Sequence, residues 1–203
     1  CAELQHIASQ LPQEGTLSNS EIAGGLKQAL NKGIDLQVSK LTEEGGFFRN
    51  ELVRIILPPE LQKVDKTLRD VGLDALADEG LLVLNRAAEE AVKEATPIFV
   101  NAVSEITFAD ARNILLGNDT AATAYLENKT TEELYSKFNP VIKKSLDKVG
   151  ATEIWNNLIQ RYNALPLTST VNPDLPDYVT EEALEGVFTM ISLEEQRIRN
   201  DLS

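Results

Sequence analysis

The side chains best placed to do chemistry are carboxylates near the C-terminus. At 100° per residue, Glu195 falls between Ile191 and Ile198 on the apolar stripe of a predicted helix, with Glu194 at the stripe's other edge. A carboxylate facing a core needs a cationic or hydrogen-bonding partner, or its pKa rises until it is neutral. Arg86, Arg112, Arg161 and Arg197 are candidate partners. Asn85 borders the stripe of an earlier long helix, and Arg86 and Glu89 project toward that helix's more polar side. If the two helices enclose a cavity, Asn85, Arg86, Glu89 and Glu195 are its polar groups. Two carboxylates there could divide acid and base roles, as in glycoside cleavage. The plainer reading is a buried structural salt bridge. A chain with 32 Asp and Glu throws up carboxylate pairs by composition alone. An acid-dependent hydrolase is therefore the third reading, behind two non-catalytic ones, and no residue is assigned as catalytic.

Other chemistries find less. The lone His6 lies near the N-terminus, so neither Ser145 nor Cys1 has a base with which to form a nucleophilic pair. One Cys and one His cannot build the common zinc sites, and no metal or cofactor is expected. No phosphate-binding glycine motif is present, and Gly24-Gly25-Leu26-Lys27 lies inside a predicted helix. Asn172, Asp174 and Asp177 are interrupted by Pro173 and Pro176, which suits a stiff loop better than a calcium site. A net charge of −13, from 19 Lys and Arg against the 32 acids, argues against binding bare nucleic acid.

These residues are carried on helices. Residues 1–17 read as a tether, and 18–203 as a single all-α domain, a compact bundle of about seven to eight helices. Ser18 and Glu21 spell a capping box ahead of the stripe Ile22, Leu26, Leu30, Val38, Leu41, and Gly45-Gly46 end that helix. An apolar connector, 47–57, follows as either a short strand or a turn of helix. Pro58-Pro59 open a helix closed by Gly72. A long helix spans about 74–106, kinked or split by Pro97. Thr107/Asp110 and Thr130/Glu133 spell further caps, Asp119 or Thr120 starts a short helix, Pro140 lies within a later one, and Thr152 and Thr180 begin the last two.

Cys1 carries the first hint of location. A cysteine at the first position fits a bacterial lipoprotein, whose thiol and amine are acylated so that the protein hangs from the membrane by lipid. More than one acyl chain gives stable anchoring, at about 0.8 kcal/mol per buried CH2. Three groups of residues then suggest a family: Leu84-Asn85-Arg86-Ala87-Ala88-Glu89 with Glu94-Ala95-Thr96-Pro97; Lys137-Phe138-Asn139-Pro140; and Asn172-Pro173-Asp174-Leu175 with Gly186-Val187-Phe188. Together they resemble the bacterial family called domain of unknown function 4197, over about residues 17–202. The resemblance implies an exported protein, often a lipoprotein, in a Bacteroidetes-like branch, and brings no activity. It implies the outer membrane, with Ala2 and the lack of an acidic cluster after Cys1 pointing to the periplasmic face.

The leading expectation is an interaction module, an accessory subunit of an outer-membrane assembly, with Phe47, Phe48 and Leu52 as candidate partner contacts. The alternative is a carrier or sensor of a small apolar or lipid ligand held between helices.

Overall fold

The computed structural model describes residues 18–58, 62, 66, 69–70, 72, 74–164, 170 and 174–201. Among these the chain is all helix and connection, with no strand. Seven helices follow in order: α1 (Asn19–Thr42), α2 (Asp74–Val92), α3 (Ala95–Ser104), α4 (Phe108–Leu115), α5 (Ala121–Asp147), α6 (Ala151–Asn163) and α7 (Leu175–Asp201). The predicted tether with Cys1 and His6 lies outside the described residues, as do most of the predicted 59–71 helix and Asn172.

Two caps form as their spacing predicts. The Ser18 hydroxyl accepts from the Glu21 amide at 3.3 Å, and Glu21 accepts from the Ser18 amide at 2.8 Å. Thr107 and Asp110 make the same reciprocal pair, at 3.2 and 2.9 Å, and start α4. The same pattern at Thr130 and Glu133 starts nothing, because α5 runs through it. There the Thr130 hydroxyl donates 2.7 Å back to the Leu126 carbonyl, so a threonine that could cap is absorbed by a helix already under way. Thr180 behaves likewise and bonds the Pro176 carbonyl at 2.6 Å. The true start of α7 is earlier, where Asp174 accepts from the Asp177 amide at 3.1 Å. Pro97 splits the predicted long helix rather than bending it. It sits in the first turn of α3, where its missing N–H costs no helical bond.

Helix α5 is the axis of the bundle. It packs most extensively on α7, then on α2, and also touches α3, α4 and α6. Leu126, Leu134, Phe138, Ile142 and Leu146 recur at spacings of eight and four residues along it and are wholly buried. Each contributes about 1.5–3 kcal/mol by leaving water. Phe99 of α3 meets Phe188 of α7 edge to face, with ring centres 6.0 Å apart. Helix α1 lies across α3, α4 and α7. A Cβ on Gly33 would stand 3.3 Å from the Glu194 Cγ, so the glycine sets how closely α1 and α7 approach.

The connector 43–57 is neither strand nor helix but a chain of tight turns. Gly45 adopts φ +86°, and a Cβ on Gly46 would come 2.4 Å from the Lys40 carbonyl. Only glycine at both positions lets the chain fold back beneath α1.

Candidate functional site

The residues singled out for chemistry do not converge. Asn85 and Glu89 stand one turn apart on the buried face of α2 and both hold the connector by its backbone. Asn85 accepts from the Ile55 amide at 2.8 Å and donates to the Ile55 and Leu81 carbonyls at 2.8 and 2.7 Å. Glu89 accepts from the amides of Phe47 and Phe48 at 3.1 and 3.5 Å. Irregular backbone inside a core needs such partners, since no ladder or helix supplies them. Arg86 points the other way and meets Glu44 at 3.1 Å on the surface, with 57% and 77% of the two side chains exposed.

Glu195 is buried elsewhere, on α7. It accepts from the Ala122 and Thr123 amides at 2.9 and 2.8 Å and from the Thr123 hydroxyl at 2.8 Å. It therefore caps the N-terminus of α5 from a different helix. Arg199, one turn on, donates to Glu195 at 2.7 Å and to the Ile114 carbonyl at 2.8 Å. The carboxylate thus faces the positive end of α5 while the guanidinium faces the negative end of α4. One ion pair on α7 satisfies two other helices. The partner is none of the four arginines named from the sequence. It is the residue at i+4, the simplest helical pairing. Glu194 pairs with Arg197 at 2.6 Å and with the Gln37 amide at 2.9 Å. The Arg197 bond holds its carboxyl below the usual range, against the opposing effect of burial.

Among the described residues, the clefts along α1, α5, α6 and α7 do not bring Asn85, Arg86, Glu89 and Glu195 together. The cleft that Glu195 borders lies between α1 and the ends of α4, α5 and α7, encloses about 500 Å³, and includes none of the other three. Leu26, Leu30, Leu115, Ala122 and Ile198 make most of its wall, with Asp119, Glu195 and Arg199 as its charged edge. A wider open groove of about 790 Å³ runs along the seam of α5 and α7, over Ala124, Leu184, Phe188 and Leu193. Sequence periodicity does not mark this groove, because its floor and rim come from two helices whose register is set by tertiary contacts.

The predicted partner contacts also separate. Phe47 is wholly buried, and a Cβ on Gly186 would lie 2.8 Å from its ring, so it is core and not contact surface. Phe48 is half-buried beneath Arg54, whose guanidinium carbon sits 4.4 Å above the ring. Leu52 is exposed. Asp174 and Asp177, weighed as cation ligands, are engaged at the start of α7. Asp174 caps the helix, and Asp177 takes a short bond from the Tyr135 hydroxyl, which pushes that phenol up to about 12. Among the described residues no cluster of metal-binding side chains occurs, and no helix is long and apolar enough to cross a membrane.

The family model described as protein of unknown function, DUF4197, matches residues 16–203. The chain belongs to this family. The match covers the whole helical body, including Asn85, Glu89, Glu195 and both walls of the groove. No curated protein and no solved structure matches the chain.

Proposed function

We propose that this DUF4197 chain is a non-catalytic interaction module, held at the periplasmic face of the outer membrane as an accessory subunit of a larger assembly. The observation that carries the reading is where the buried polar groups are spent. Asn85, Glu89, Glu194 and Glu195 each bond the chain's own backbone or side chains, and a broad open groove of about 790 Å³ runs between two long helices. An acid catalyst needs a carboxyl free to exchange a proton with substrate, and Glu195, although it borders the 500 Å³ cleft, has both oxygens held by the Ala122 and Thr123 amides and Arg199. A docking module needs a rigid face, and α5 and α7 are the most extensively packed pair in the bundle. The membrane attachment rests on the lone cysteine, Cys1, and on the exported, often lipidated proteins that the family resemblance implies.

The test is mild-detergent purification of the native protein from its membranes, followed by mass spectrometry of protein and lipid together. A stoichiometric membrane partner and a diacylglyceryl mass on Cys1 are expected. A monomer that carries neither partner nor ligand would sink the reading.

The 500 Å³ cleft beside α1 favours a second reading, a carrier of a small apolar ligand. Its volume lies in the range of ligand pockets, about 300–1,000 Å³. In the same experiment a defined small molecule or lipid at one per chain would favour this reading.

A further inference from the structure

The groove between α5 and α7 has a chemistry more specific than apolar. The two helices run antiparallel, as the bonds from Thr123 to Glu195 and from Tyr135 to Asp177 require. Their seam is lined from Thr120 to Thr131 on one side and from Glu181 to Leu193 on the other. At 1.5 Å rise per residue, the α7 side is about 18 Å long, or three helical turns. Leu184 and Phe188 form the floor, and Leu193 stands exposed at one end. Glu127, Glu181 and Glu185 rise from the two helices as its rim, and neither Lys nor Arg lines it. The adjacent Glu182 is pushed up by burial first, then by Glu185 and Glu181, so negative charge is crowded along this side of α7.

We propose that the groove receives a basic amphipathic helix of about three turns from a partner protein. Its apolar face would cover Leu184, Phe188 and Leu193, and its flanking Lys or Arg side chains would meet Glu127, Glu181 and Glu185. The acidic rim and the apolar floor of helical length complement such a helix in charge and in length. A second copy of this chain does not fit. It carries the same acidic rim and a net charge of −13, and face-to-face pairing would set like charges together. The inference rests on the interaction-module reading and names the partner's chemistry.

The probe is a fluorescent synthetic helix of about three turns, with leucines at i, i+3, i+7 and i+10 flanked by lysines, titrated into the full chain by anisotropy. One comparison peptide keeps the leucines and carries glutamates in place of the lysines; another keeps the composition and scrambles the leucine spacing. The basic, correctly spaced peptide binds, and its affinity falls as salt rises. Neutralising the rim with E127Q, E181Q and E185Q weakens binding about tenfold. The three side chains are exposed, so the variant keeps the fold. Neutralising exposed Glu43, Glu51 and Glu153 leaves binding unchanged. Equal loss from both triple variants, equal binding of the scrambled peptide, or no binding of the basic peptide overturns the proposal. A partner purified from membranes that binds the rim variant as well as the native chain overturns it too, while leaving the interaction-module reading intact.

Discussion

Replacing Glu195 tests whether the buried acid is structural. Glu195→Ala removes one carboxylate that accepts from two backbone amides, one hydroxyl and two nitrogens of one guanidinium, at 2.7–3.0 Å. Each charge-assisted bond contributes about 1.5–3 kcal/mol net, but the five share two oxygens and cannot be summed. Breaking a buried ion pair by removing one member costs about 3–5 kcal/mol, because the other charge remains buried. Arg199 keeps the Ile114 carbonyl and 23% exposure, which moves the expectation to about 3–4 kcal/mol. For a chain of this length that lowers Tm by about 6–16 °C. Glu195→Gln retains an acceptor for one amide and loses the charge, so about half that loss is expected. Urea unfolding followed by far-ultraviolet circular dichroism reads the change as a lower midpoint at unchanged slope. Hydrogen exchange adds a local readout, with faster exchange at the Ala122 and Thr123 amides, the first turn of α5. A loss below about 1 kcal/mol with unchanged protection at those amides would refute the account, since that would make Glu195 a group held for another purpose.

Further outcomes follow from the same structure. Asn85→Ala leaves the Ile55 amide and carbonyl buried without partners, so it destabilises by about 2–4 kcal/mol, read by urea unfolding, with hydrogen exchange at Ile55 rising most. Glu194 has a folded pKa below its usual 4.5, so its contribution is complete above that value and is lost as the pH falls through the folded pKa; Glu194→Gln should flatten that acid limb of the stability curve. Glu182 has the opposite sign. Its folded pKa is raised, so the ionised form opposes folding above that pKa, and Glu182→Gln should stabilise at neutral pH with the gain vanishing below about pH 4.5. Gly186→Ala places a Cβ 2.8 Å from the Phe47 ring and should cost about 1–3 kcal/mol, with partial recovery in the double variant carrying Phe47→Leu, measured by thermal unfolding.

What the sequence reveals divides by range. Helical stripes and the caps at Ser18 and Thr107 were legible because their partners lie three or four residues away. The identical wording at Thr130 misleads, because capping needs an N–H that a continuing helix has already committed. The break at Lys93–Glu94 follows from Pro97, but α3 could begin early enough to place that proline in its first turn. The connector was undecidable from periodicity, since its turns depend on Asn85, Glu89 and the Tyr178 hydroxyl, 30, 42 and 122 residues from the groups they bond. Of the candidate site, the anomaly of a carboxylate on an apolar stripe was visible, and so was Arg199 at the next turn. That the carboxylate serves the start of α5 was not, because the 72 residues between Thr123 and Glu195 leave no local pattern. The groove is legible only once α5 and α7 are placed in antiparallel register.

The proposed docking of a partner helix in the α5/α7 groove is tested most directly in the protein's native cells. A photo-reactive residue would replace Thr189 on the groove wall in one variant and exposed Leu52 on the connector in another. The account predicts a discrete covalent adduct with one polypeptide from position 189, diminished when Glu127, Glu181 and Glu185 are neutralised, and no such adduct from position 52. Adducts from position 52 alone, or none from position 189, would contradict it.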